Sequence, residues 1–222
     1  MARPLKLSGT KAHTRYKDKA GKTVPGTTTI LGVLAKPQLI KWANSMGLQG
    51  IDTTKYVDAL ARIGTLAHHM VESHIKGIQP ELDSYSKEEI GLAENSFISF
   101  LEWEKQYDVQ YLDNEIGLVS EQYKYGGTID CYAVINGKKT LLDFKTSKAI
   151  YPEMIVQLAA YKQLMEENGF DVEEVRILRI GRSEDEGFDE KKVKDVSNHW
   201  KLFQHLREVY EYQKLINRKE AV

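Results

Sequence analysis

The stretch from Gly126 to Ser147, GGTIDCYAVINGKKTLLDFKTS, constrains the fold more than any other part of the chain. Two runs rich in β-branched and aromatic residues flank Asn136-Gly137, a pair that tolerates the positive φ angles of a two-residue hairpin turn. Such a turn sets the register: Ile135 faces Lys138, Val134 faces Lys139, and counting inward Asp130 faces Asp143. Opposed side chains have Cβ atoms roughly 5 Å apart, and like charges there repel. A cation is therefore expected between the two acids. Lys145, two residues past Asp143, emerges on the same face, while Leu142 and Phe144 point the other way into a core. A slip of one residue would put the acids on opposite faces.

Two carboxylates and a lysine meeting at one spot suit phosphodiester hydrolysis. Hard divalent cations take carboxylate oxygens, neutralise charge at a phosphate and acidify a water. A lysine beside them can orient that water or stabilise the transition state. The competing reading is a solvated hairpin whose acids are balanced by Lys138, Lys139 and Lys145.

Around the hairpin, periodicity sketches the remaining elements. Polar-alternating segments on either side of Lys19-Ala20-Gly21 read as a short hairpin over 12–24. Helical spacing runs from Thr28 to Ala43 with a break at Pro37, and again over Thr53 to Ile75. Ser86 and Glu89 form a capping box that opens a helix through Trp103. Strand-like residues fill 109–125, 127–135 and 139–147, and a helix follows Pro152 to about Asn168. A strand over 173–181 then leads through a polar segment to a final amphipathic helix carrying Trp200, Phe203, Leu206, Tyr210 and Ile216. Three helices, three strands, then helix, strand, helix make a mixed α/β (α+β) fold with a helical N-terminal lobe. At 222 residues one compact domain is expected, with 1–107 as the basic segment and helical lobe and 108–222 as the catalytic core.

The net charge of -1 hides an asymmetry. Residues 1–41 carry +8 and the remainder -9. That polarity fits a face for a polyanion, or equally a soluble basic tail. Lys36 and Lys41 in the basic part, Trp42 beside them and Lys148 beyond the hairpin are candidate nucleic-acid contacts, the tryptophan by stacking on a base. One cysteine, Cys131, leaves neither an intrachain disulfide nor a four-thiolate cluster, and no apolar run is long enough to span a bilayer. A reduced cytoplasmic location with no membrane partner is the expectation.

Four motifs in order resemble a known family: G64-T-L-A-H68-H-M-V-E72, G127-T-I-D130, D143-F-K145 and Q157-L-A-A-Y161. Together they resemble the RecB-like branch of the PD-(D/E)XK nucleases. The segment from Val24 to Ala43 further resembles the N-terminal motif of phage-encoded and mitochondrial DNA exonucleases of that branch. The resemblance implies a restriction-endonuclease-like core, a central mixed sheet flanked by helices. It implies metal ligation by His68, Asp130, Asp143 and the Phe144 carbonyl, catalysis by Lys145 with Asp130 and Asp143, and a supporting part for Gln157 and Tyr161. Glu72, on the His68 face of its helix, and Glu121, before Asp130, are possible further acids.

What the resemblance implies as activity is an Mg²⁺- or Mn²⁺-dependent DNA exonuclease without an iron–sulfur cluster, acting in phage or bacterial recombination, repair or processing. DNA is the expected partner, with a single-strand annealing or recombination protein a further one. A sequence- or structure-specific endonuclease of the same superfamily and a catalytically silent DNA-binding module stay open as alternatives. Several relatives hold a four-cysteine cluster, which this chain lacks the residues to build.

Overall fold

The computed structural model describes residues 14–220, apart from the side chains of 219 and 220. Arg3, Lys6 and Lys11 of the basic segment, and the start of the first hairpin, lie outside the described residues. The elements run β1 (Tyr16–Lys17), β2 (Thr23–Val24), α1 (Thr27–Leu31), α2 (Pro37–Leu48), α3 (Thr53–Ile75), α4 (Lys87–Glu104), β3 (Val109–Ser120), β4 (Tyr125–Ile135), β5 (Lys138–Lys145), α5 (Pro152–Glu167), β6 (Glu174–Ile180), β7 (Phe188–Val193) and α6 (Ser197–Glu220). β3 to β7 form one five-stranded sheet in sequence order. The β5–β6 pair is parallel, with α5 as the crossover, and the other pairs are antiparallel.

Helices cover both faces. α3 and α4 lay Val71, Phe100 and Trp103 against Cys131, Ala133, Leu142, Phe144 and Leu178. On the opposite face α1, α5 and α6 contribute Ile30, Leu158, Leu164 and Phe203 to a core with Ile129, Leu141 and Ile177. Because β5 and β6 are covered on both sides, they are buried over most of their length, polar Thr140, Asp143, Arg176 and Arg179 included. Ser86 and Glu89 close the expected capping box at α4, and Asp52 caps α3 by accepting from the Thr54 and Lys55 amides.

The β4–β5 register is the one the turn chemistry predicts. Ile135 pairs with Lys138 and Val134 with Lys139, with Asn136 and Gly137 at φ 49° and 80°. Two expectations are corrected. The polar segment after β6 turns back into β7, an edge strand of sequence FDEKKV that alternation does not reveal because most of its side chains face water. Ile216, expected on the core side of α6, is exposed; Phe203 and Leu206 are buried. Among the described residues no helix is long and apolar enough to cross a membrane.

Candidate active site

The paired ladder of the β4–β5 hairpin ends at Cys131 and Leu142, one step short of Asp130 and Asp143. At that step the Phe144 amide donates 2.9 Å to Asp130 Oδ2, so a side chain takes over the role of the next strand carbonyl. The two acids then differ sharply in environment. Asp143 is 1% exposed, and beyond Lys145 neither of its oxygens has a hydrogen-bond partner among the described residues. The Lys145 ammonium lies 2.5 Å from one of them, in an ion pair. Burial pushes the Asp143 carboxyl up to about 6; Lys145 pulls it down and Asp130 pushes it further up. For Lys145, burial works against the charge, but Asp143 and Asp130 outweigh it and hold the ammonium above its ordinary pKa.

His68 and Glu115 complete the cluster. His68 comes from α3, its Nδ1 3.8 Å from Asp130 Oδ2, with its ring edge-on to Phe144 at 6.0 Å. Gly64, one turn earlier, permits that approach, since a Cβ there would lie 2.7 Å from Thr146 Oγ1. Glu115 sits midway along β3, between the Asn114–Cys131 and Ile116–Ile129 pairs and hence across from Asp130. Its φ of 50° is a left-handed backbone that non-glycine residues rarely take inside a strand, and the β3 register shifts nearby at Tyr111 and Asp113. One ligand atom each from His68, Glu115 and Asp130 lies within 4.8 Å of the others. Two carboxylates and an imidazole make a donor set for a divalent cation, and the buried, un-hydrogen-bonded carboxylate of Asp143 adjoins it.

Gln157 and Tyr161 face the same place from α5. Gln157 Nε2 donates 2.7 Å to the Tyr161 hydroxyl. Burial, then the charges of Asp143 and Asp130, raise the Tyr161 pKa well above normal, so it remains a phenol. Its ring packs where Gly127 has no side chain: a Cβ there would meet Tyr161 Cε1 at 2.6 Å. The N-terminal motif anchors this corner. The Gly126 amide donates to the Pro25 carbonyl at 2.9 Å, and Thr27 Oγ1 donates 2.9 Å to the Gly126 carbonyl.

Other expected residues lie elsewhere. Glu121 pairs with Lys124 at 2.8 Å and accepts the Lys19 amide, just past the C-terminal end of β3 and away from Glu115 at its middle. Glu72 pairs with Lys76 and lies 3.9 Å from His69. Lys36 is bound to Glu153 at 2.7 Å. Lys148 is exposed beyond β5, and its charge helps lower the Glu186 pKa, which Arg182 lowers most. Cys131 is a buried thiol kept protonated by its burial. Sequence reasoning passed over Glu115. Counting back from the β3–β4 loop, with Ser120 opposite Tyr125, leads to Glu115 opposite Asp130, but that loop carries no turn signature to fix the count.

The fold and this cluster define an α/β protein with a five-stranded mixed sheet whose acidic site opens beside strand β5. No known protein family matches the sequence, and neither does any curated protein. Solved structures align with part of this chain, two of them as follows. A candidate exonuclease from Eubacterium rectale shares 16% identity over 72% of this chain and 69% of its own, at a TM-score of 0.48. LHK-Exo in complex with dAMP shares 14% identity over 72% of this chain and 91% of its own, at a TM-score of 0.32. At such scores the chemistry rests on the residues of this chain alone.

Proposed function

We propose that this protein is a divalent-cation-dependent deoxyribonuclease that hydrolyses phosphodiester bonds from DNA ends, a member of the RecB-like branch of the PD-(D/E)XK nucleases. The observation that carries the reading is the convergence of His68, Glu115 and Asp130 within 4.8 Å beside the buried Asp143–Lys145 pair. The four motifs quoted from the sequence lie on α3, β4, β5 and α5, the elements that border this one place, and this supports the branch assignment. His68, Glu115 and Asp130 would hold the cation, with Asp143 as a neighbouring donor. The ion, Mg²⁺ or Mn²⁺, would supply positive charge to the phosphate and acidity to a water.

The chain's own groups do the rest. Hydrolysis adds the water oxygen to phosphorus, breaks the P–O ester bond and leaves the water's proton on the departing alkoxide. Lys145, held charged by Asp143 and Asp130, stabilises the negative charge that builds on the phosphate. Tyr161 stays protonated beside the carboxylates, and Gln157 fixes its hydroxyl, so the pair orients the acids. Phe144 and Phe100 wall the His68 side with apolar surface. The expected assay result is metal-dependent loss of linear DNA labelled at one end, with supercoiled circular DNA spared. Nicking of the circle would replace the exonuclease by an endonuclease. Full activity in purified Asp143→Ala or Lys145→Ala protein would sink the nuclease reading altogether.

A further inference from the structure

Two surfaces of the molecule lack a partner, and they complement each other. α2 buries none of its side chains. Leu39, Ile40 and Leu48 are 50%, 74% and 82% exposed. Helices in proteins draw most of their stability from a buried face, and clustered apolar surface left in water marks an interaction site.

The second surface lies along α6, whose core residues pack on the sheet face opposite α3 and α4. A groove of about 460 Å³ runs from Tyr123, Trp200 and Phe203 at one end to Glu208, Tyr212 and Leu215 at the other. Tyr212 and Leu215 are 66% and 45% exposed. Among the described residues no α6 side chain beyond Leu206 is buried, so the last turns of the helix stand clear of the core.

Length and charge match the two surfaces. From Trp200 to Leu215 α6 rises about 22 Å, and the 12 residues of α2 span about 18 Å. Arg207 and Glu211 in the groove answer each other at 3.0 Å, which leaves Glu208 as the lining charge with no ion-pair partner among the described residues. On α2 the counterpart is Lys41: Lys36 is taken by Glu153, whereas Lys41 has no ion-pair partner among the described residues. No Asp or Glu occurs between Lys19 and Ile51 to oppose it. Two copies meeting α2 to α2 would set lysine against lysine, and groove to groove would set glutamate against glutamate. α2 against the groove pairs unlike charges and covers both apolar surfaces. Trp42 holds α2 to Tyr56 of α3, across the sheet from α6, so the groove that α2 meets belongs to another copy.

We propose that α2 of one copy docks into the α6 groove of the next, so that chains associate head to tail through unlike surfaces. Such a contact repeats, closing into a ring or running on as a filament according to the rotation between neighbours. At dilutions far below its Kd the groove is empty and Lys41 is free for DNA. The proposal does not depend on the nuclease reading of the acidic site.

Sedimentation equilibrium of the full chain, without DNA or metal, tests it. The average mass should climb from one chain towards multiples of it as the concentration rises through roughly 10 µM, the Kd range of a small contact. Ile40→Asp and Glu208→Lys, both at exposed positions, should each weaken association at least about tenfold. Mixed in equal amounts, the two variants should form a one-to-one dimer and nothing larger, because Glu208→Lys keeps an intact α2 and Ile40→Asp an intact groove. Adding Lys41→Glu to the Glu208→Lys chain should restore self-association. A wild-type mass that stays at one chain overturns the proposal and leaves the groove to a different partner. So does association that survives either single variant, as a symmetric contact would allow, or a mixture that remains monomeric.

Discussion

Two buried charge clusters lie on the same sheet, and they are built on opposite principles. At the β6–β7 edge, Arg176 is paired with Glu174 and, at 3.0 Å, with Glu190, and its guanidinium lies over the Tyr107 ring. Glu190 also accepts from Trp103 Nε1 at 3.2 Å and from the Tyr107 hydroxyl at 2.7 Å. Burial opposes the Glu190 charge, yet Tyr107, Trp103 and Arg176 together hold its pKa below normal. At the β4–β5 end, Asp143 is more deeply buried than Glu190 and has, among the described residues, no close polar partner beyond the Lys145 ammonium, and its pKa rises to about 6. A network whose polar atoms are all answered stabilises the fold; a buried carboxylate left open keeps its lone pairs for something the chain does not itself contain.

The largest test of that contrast exchanges the fates of the two clusters. Asp143→Ala should cut hydrolysis at least about 100-fold with the protein still folded. Glu190→Gln should keep the activity of each folded molecule but lower the melting temperature by about 10 °C, as expected for breaking a buried ion pair. If Glu190→Gln abolished activity in folded protein, the division into a structural and a chemical cluster would fail.

Next in size is Glu115. Glu115→Gln should weaken Mn²⁺ binding, read by calorimetry, at least about tenfold, whereas Glu121→Gln should leave it within error. Equal effects would put Glu121, just past β3, back among the candidate acids.

The pH dependence of stability separates the clusters again. Asp143 has a folded-state pKa above its ordinary 3.8, so its contribution to stability is complete below about 4 and is lost as pH rises through about 6. Glu190 is shifted down, so its contribution is present above its ordinary value and lost on acidification. Added Mg²⁺ or Mn²⁺ should therefore raise the melting temperature by several degrees at pH 7.5 and by less at pH 5, where the proton competes for Asp143. A metal-induced shift that does not depend on pH would remove Asp143 from the cation's surroundings.

The smallest expected effect concerns Lys41 and Lys36. Lys41→Met should lower the salt slope of DNA binding by about 1, and Lys36→Met, already neutralised by Glu153, should lower it by less. A larger change for Lys36 would show that its ion pair opens on binding.

Much of the site is legible from local chemistry. Asn136-Gly137 admits one tight turn, and from that turn the opposition of Asp130 and Asp143, with Lys145 beside them, follows by counting. The spacing of Gln157 and Tyr161 places them one turn apart on α5, where they are hydrogen-bonded. The capping box and the limits of α3 are local in the same sense. β7 is the reverse case: an edge strand earns its place by pairing with β6, and its polar side chains carry no pattern of their own.

By itself, then, the sequence determined the hairpin, its two acids and lysine, and the helices that flank them, because turn stereochemistry and side-chain periodicity act over a few residues. Only the tertiary structure decided which other groups meet these three. Glu115 reaches the cluster by the pairing of β3 with β4, which sets it across from Asp130, Glu121 is captured by Lys124, and Lys36 by Glu153. Each of those outcomes depends on contacts between residues far apart in the chain. Such contacts are chosen by how the layers pack, not by any spacing along a single element.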